Sequence, residues 1–294
     1  MVVNLFDLKN MHETLCGLYS IKPDDLDKFL NICNSEEDVV SQFCDYFDFK
    51  LDMVDVTSSE LLCKHITTTI DSGDSLRQNG FRSLKELLQK ESVLTQFLKE
   101  NYVILDIAKM TLKYKDFQEI QLLPERCEYD IQEVKRLSST LNHDNGVIEA
   151  FYCGDMEEML GYSTVAECPE ILDKIDNVIY KKYGYEEGGL CQAWKNKVDK
   201  RLVVEFLIQV NNMDYCTAMY QNGMGQYDDY MQETYEYIDS YPQKALINRW
   251  FIQSMIKDML ENDVTHTCGF VGVRDSSLIK NIKLIAIGGI DNNG

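Results

Sequence analysis

Lys64-His65-Ile66-Thr67-Thr68-Thr69-Ile70, running on through Asp71 to Arg77 and then Gln78-Asn79-Gly80-Phe81, is the stretch that decides how this chain reads. Its first seven positions alternate β-branched and polar residues, a pattern that suits a pleated, half-buried strand. Asp74-Ser75-Leu76-Arg77 with Gly80 behind it reads as a short helix ended by a glycine. His65 and Thr67 are two positions apart, so both side chains leave one face of the strand and can address one ligand. Taken alone, the residues leave His65 open between a hydrogen-bonded core histidine and a ligand-facing group.

The 294 residues are 45% hydrophobic, enough for a large buried core. Lys plus Arg number 29 against 49 Asp plus Glu, a formal charge of −20, so the average surface repels phosphate backbones and argues against a broad nucleic-acid face. No run reaches the roughly 18 to 20 apolar residues of a membrane span, and Met1 to Asn10 lacks a basic-then-apolar leader. The expectation is a cytoplasmic protein with no membrane partner. The ten cysteines are scattered, with no Cys-x-x-Cys spacing and no Cys/His cluster. That pattern predicts reduced thiols, no disulfide and no metal site.

From Leu5 to about Phe49 the periodicity is helical. Leu8, Met11, Leu15 and Leu18 form one stripe, and Leu26, Phe29, Leu30 and Cys33 another. Pro23 opens the second helix, while Ser35 with Asp38 has capping-box spacing for a third. Residues 1–55 therefore read as a helical N-terminal region, either a docking module or simple packing, and 56–294 as the main domain. Ser83 with Glu86 starts a further helix, residues 101–124 look strand-like, and another helix is expected near 131–141. Together these make an insertion around 83–145 in a compact sheet. Ala245 to Leu260 reads as a strong helix, with closing strands at Phe270–Val273 and Lys283–Ile287.

The second informative stretch is Val147-Ile148-Glu149-Ala150-Phe151-Tyr152-Cys153-Gly154-Asp155-Met156, continuing to Gly161-Tyr162. Residues 147–153 suit a buried strand, and Asp155 with Glu158 suits a helix start. Tyr152 at the strand end and Tyr162 on the helix could sandwich a flat heterocycle, or both could be amphipathic packing.

His65-Ile66-Thr67 before a helix and Gly80, with Tyr152 ending a strand before Tyr162, resembles the first two motifs of the ADP-ribosyltransferase superfamily. The likeness is to its His-Tyr-Glu branch of poly(ADP-ribose) polymerases and diphtheria-type toxins. Ile66 stands where that branch has a small residue. The resemblance implies an α+β fold, a split antiparallel β-sheet with helices around it. It also implies NAD as substrate, with His65 and Thr67 at the adenosine ribose and Tyr152 and Tyr162 stacking the nicotinamide. A glutamate on a later strand is required. Glu236, in Thr234-Tyr235-Glu236-Tyr237-Ile238, matches best; Glu205 on the strand-like run 203–210 is the runner-up and Glu233 third. Such a protein would transfer ADP-ribose to a macromolecular acceptor, a protein rather than a nucleic acid, as a toxin, effector or defence enzyme. The alternatives are NAD hydrolysis, an RNA 2′-phosphotransferase-like activity, or a non-catalytic interaction protein.

Overall fold

The computed structural model describes residues 1–123, 132–144, 146–161, 164–184, 189–221, 227–228, 241–264 and 267–287. After the short strand β1 (Val2–Val3), the Asp7 carboxylate accepts the Asn10 N–H and so caps α1 (Leu8–Tyr19). Pro23 occupies the first turn of α2 (Pro23–Ile32), where its missing N–H costs nothing. The third helix, α3 (Val39–Phe47), starts later than the Ser35 spacing suggested. Asp38 is its cap, accepting from the Val40 and Ser41 N–H groups. The preceding residues are held as a turn, because Asn34 accepts from the Glu36 N–H and its carbonyl is taken by Gln42.

The chain then forms β2 (Glu60–Thr69), α4 (Asp74–Asn79), α5 (Leu84–Gln89) and α6 (Val93–Glu100). Where the sequence is strand-like it builds a small meander, β3 (Val103–Asp106), β4 (Thr111–Tyr114) and β5 (Ile120–Gln121). Next come α7 (Gln132–Ser139), β6 (Ile148–Cys153), α8 (Met156–Gly161), α9 (Glu170–Tyr183) and α10 (Gly189–Lys195). The remainder is β7 (Lys200–Gln209), β8 (Tyr215–Gln221), β9 (Tyr227–Asp228), α11 (Tyr241–Glu261), β10 (Thr267–Val273) and β11 (Lys280–Ile287). This is a mixed helix-and-sheet structure with antiparallel sheets, compatible with the α+β class. Its main sheet runs β11-β7-β2-β6-β10-β8-β9 with antiparallel neighbours, and β1 adds to β2 in parallel.

One face of that sheet is covered by the N-terminal helices and α11. Leu15, Phe29 and Phe43 share a continuous core with Phe206, Trp250 and Phe251. Tyr19 fixes the joint, since its buried hydroxyl donates to Asn248 Oδ1 at 2.8 Å while the Asn248 amide donates to the carbonyls of Leu51 and Val54. Residues from α5 to α7 instead join α9 and α10 in a second core containing Phe97, Leu137, Ile175 and Trp194. A third, smaller cluster with Ile66, Phe151 and Val203 lies on the other face of the sheet.

The central feature is the meeting of β2 and β6. Their register holds a single pair, Lys64↔Phe151, whereas β2 pairs with β7 along its whole length. On one side of that pair the gap is filled by the N-terminal segment: Val2 and Val3 pair with Glu60 and Leu61, and Leu5 bridges Cys153. On the other side the strands part.

Phe43 is fully buried, with rings from Tyr19, Phe29, Phe47 and Phe49 at centroid distances of 5.0 to 5.9 Å. Phe43→Ala is expected to lower unfolding free energy by about 3–5 kcal/mol in urea titrations monitored by circular dichroism. Truncating the exposed Ile104 the same way should change it by less than about 0.5 kcal/mol.

Candidate functional site

Where β2 and β6 part, a cleft of about 430 Å³ opens. Its floor is the end of β2, from His65 to Thr69, with Val147–Glu149 opposite. One wall comes from α4, Gly80 and Phe81, and the other from Thr140, the start of α9 and Trp194.

His65 pairs through its backbone with Val204 of β7, and its side chain reaches across the gap to β6. Its Nδ1–H donates to the Glu149 carbonyl at 2.7 Å, replacing the ladder bond that a continuous sheet would make there. With the proton on Nδ1, the neutral ring leaves Nε2 as an acceptor. Phe81 lies against the imidazole at a centroid distance of 4.8 Å. Accessible surface leaves His65 only half-buried, because it borders the cleft, but the ring is surrounded by protein. That desolvation lowers its pKa below the ordinary histidine value, against the smaller opposing effect of the Glu149 carbonyl.

Local bonds hold the α4 wall in place. Thr69 Oγ1 donates to Asp71 Oδ1 at 2.5 Å, and Asp71 accepts the Gly73 and Ser75 N–H groups at the start of α4. Burial pushes the Asp71 carboxyl up, but these bonds together outweigh it and hold its pKa below the usual range. Gly80 ends α4 at φ +74, a left-handed conformation that favours glycine, and turns Phe81 into the cleft. On the far wall, Trp194 Nε1 donates to Thr68 Oγ1 at 2.8 Å. Lys174 donates to Thr140 Oγ1 at 2.6 Å and pairs with Glu170 at 2.9 Å. Among the described lining residues, Glu91, Glu149 and Glu170 supply carboxylates, and Arg82 and Lys174 are the cations.

Of the residues singled out from sequence, the fold brings His65 and Thr67 together on the cleft floor. Tyr152 ends β6 as expected, but its side chain is fully buried in the main core and does not line the cleft. Its ring lies over Gly269 of β10, where an added Cβ would come within 2.3 Å, and packs near Phe251 at 6.3 Å. Glu205 does sit on a strand, β7, directly opposite Lys64. Its carboxylate is held by Lys283 at 3.3 Å and Lys64 at 3.9 Å, outside the cleft. Burial depresses the Lys64 pKa, although Glu205 opposes this. Tyr162, Glu233 and Glu236 lie outside the described residues.

Thr140, Lys174 and Trp194 were not legible as cleft residues, because the second core carries them there and no local motif marks them. The disulfide Cys168–Cys191 also departs from the expectation of reduced thiols throughout. The two cysteines are 23 positions apart in sequence and meet only because α9 and α10 pack together. Among the described residues no group of His, Cys, Asp and Glu is arranged to hold a metal ion, and no helix is long and apolar enough to cross a membrane. Comparison with protein-family models, curated proteins and solved structures finds no match for this chain.

Because the folded pKa of His65 lies below that of the unfolded chain, the unfolded state binds the extra proton first. The associated stability is complete above about pH 6.5 and is lost as pH falls toward the folded value. His65→Asn keeps an N–H for Glu149 and removes the titration. The urea midpoint of the native protein should therefore fall more than that of the variant between about pH 7.5 and 5.5. Parallel curves would rule out a desolvated neutral imidazole.

Proposed function

We propose that the chain is an NAD-dependent ADP-ribosyltransferase built on a split antiparallel sheet. The observation that carries this reading is the opening between β2 and β6, with His65 and Thr67 on its floor. Its volume of about 430 Å³ is in the range of small-molecule sites, about 300–1,000 Å³. With Nδ1–H committed to Glu149, Nε2 of His65 is the atom to accept a ribose hydroxyl, and Thr67 supplies a second hydroxyl on the same strand face.

The reaction breaks the bond from the anomeric carbon of the ribose to the nicotinamide nitrogen, and the nitrogen leaves with the electron pair. Positive charge builds on the sugar and is stabilised by a carboxylate, for which Glu236 is the assignment. Glu205 is a weaker choice because two lysines already hold it away from the cleft. Capture of the anomeric carbon by an acceptor nucleophile completes transfer, whereas capture by water gives NAD hydrolysis. A net charge of −20 favours a protein acceptor over a nucleic acid. An RNA 2′-phosphotransferase-like activity has less support, since it wants converging arginines and Arg82 is the one arginine among the described lining residues.

The test incubates the purified chain with NAD labelled in the adenylate half, with and without cell extract, and follows nicotinamide release and label on protein. Release is expected, and Glu236→Gln should abolish it without changing the circular dichroism spectrum. His65→Ala should weaken NAD binding by roughly tenfold, the worth of one hydrogen bond to a charged or buried partner. If NAD neither binds nor is consumed, the chain is a non-catalytic interaction protein.

A further inference from the structure

We infer that the Cys168–Cys191 disulfide is a reversible redox clamp on the far wall of the cleft. Both cysteines adjoin the lining. Cys168 immediately precedes Pro169, Glu170 and Ile171, which line the cleft, and Cys191 is three residues before Trp194, which lines it too. The bridge therefore joins the segment that starts α9 to α10. From α10 the restraint continues through the Trp194–Thr68 hydrogen bond to β2, beside Thr67 and His65.

A second, non-covalent tie spans the same joint. The buried Asp176 of α9 accepts the N–H groups of Leu190 and Cys191 at 2.8 and 2.9 Å. Reduction therefore loosens the wall and leaves it attached. The placement sets this pair apart from the thiols of Cys16, Cys33 and Cys44, which lie on the N-terminal helices and after α2, away from the cleft lining.

The chemistry is thiol–disulfide exchange with a dithiol reductant. Cys168 is fully buried and Cys191 partly accessible, so the reductant's thiolate attacks Cys191 Sγ. The bond to Cys168 breaks, and its sulfur leaves with the electron pair and takes up a proton. The reductant's second thiol then displaces Cys191, which is protonated in turn. The protein gains two electrons and two protons, and the reductant ends as its own disulfide. Reduction loosens the far wall and lowers occupancy of the cleft; this last step rests on the NAD-binding reading above, whereas the clamp itself does not.

The experiment uses the full chain, oxidised with glutathione disulfide and compared with the same protein in dithiothreitol. Non-reducing peptide mapping should find Cys168 joined to Cys191. Hydrogen–deuterium exchange at residues 169–175 and 189–195 should speed up about tenfold or more on reduction, with β7 and α11 unchanged. A Cys168→Ala/Cys191→Ala double variant should match the reduced protein and ignore dithiothreitol. NAD affinity should be lower in the reduced form. Failure to form the bridge, or exchange that does not respond to reduction, overturns the inference even if NAD binds. An equal rise throughout β7 and α11 also overturns it, because the bridge would then be a staple for the whole fold. A local rise in a protein that never binds NAD upholds the clamp and removes the enzymatic reading instead.

Discussion

The hydrogen bond from the His65 imidazole to the Glu149 carbonyl is the contact on which the site depends. Two strands that touch at one residue pair must satisfy their remaining backbone groups elsewhere, because a buried carbonyl without a donor costs about 1–3 kcal/mol. The fold solves this differently at the two ends of the divergence. Val2 to Leu5 enter as extra strand at one end and make ordinary backbone pairs. At the other end a side chain stands in for the missing strand, which leaves volume beside it. An extended segment would have closed the sheet there, so the cleft exists because an imidazole fills the donor role without filling the space.

The two faces of β2 show how the alternation works out. Leu61 and Cys63 point into the main core, and His65 and Thr67 continue that face beyond the point where β6 departs. Lys64 and Ile66 point the other way, toward the smaller cluster. There Lys64 sits over the Phe6 ring at 4.1 Å and shares Glu205 with Lys283. One strand thus carries His65 and Thr67 on one face and a partly buried ion pair on the other. Confusing the faces would exchange their roles.

That is the limit of what could be read from the sequence. The strand read at 64–70 (observed at Glu60–Thr69), the short helix before Gly80, the Ser83–Glu86 capping box and the strand ending at Cys153 all depend on residues within one turn or one period of each other, and they were legible. The orientation of Tyr152 was not, because the small volume that admits its ring is Gly269 of another strand, far along the chain. Glu205 was correctly read as a strand residue, yet its neighbours are set by the Lys64↔Glu205 register, which no local pattern encodes. The Cys168–Cys191 pair and the cleft contacts of Lys174 and Trp194 likewise follow from the packing of the second core.

This division has a consequence for motion. The floor of the cleft belongs to the main sheet and its far wall to the second core, so opening the cleft means moving one core relative to the other. The described polar ties at that joint include Trp194 to Thr68, Ser276 to the Glu86 carboxylate, the Asp199 N–H to the Thr69 carbonyl, and Ser72 to the Asp199 carboxylate. Each such hydrogen bond contributes about 0.5–1.5 kcal/mol net, and Ile70, directly after β2, adds apolar contact with the second core. His65, fixed to both β7 and β6, belongs to the floor. A ligand entering the cleft would meet a preformed acceptor on one side and an adjustable wall on the other. The Trp194–Thr68 hydrogen bond is the point at which that wall is fastened to the floor.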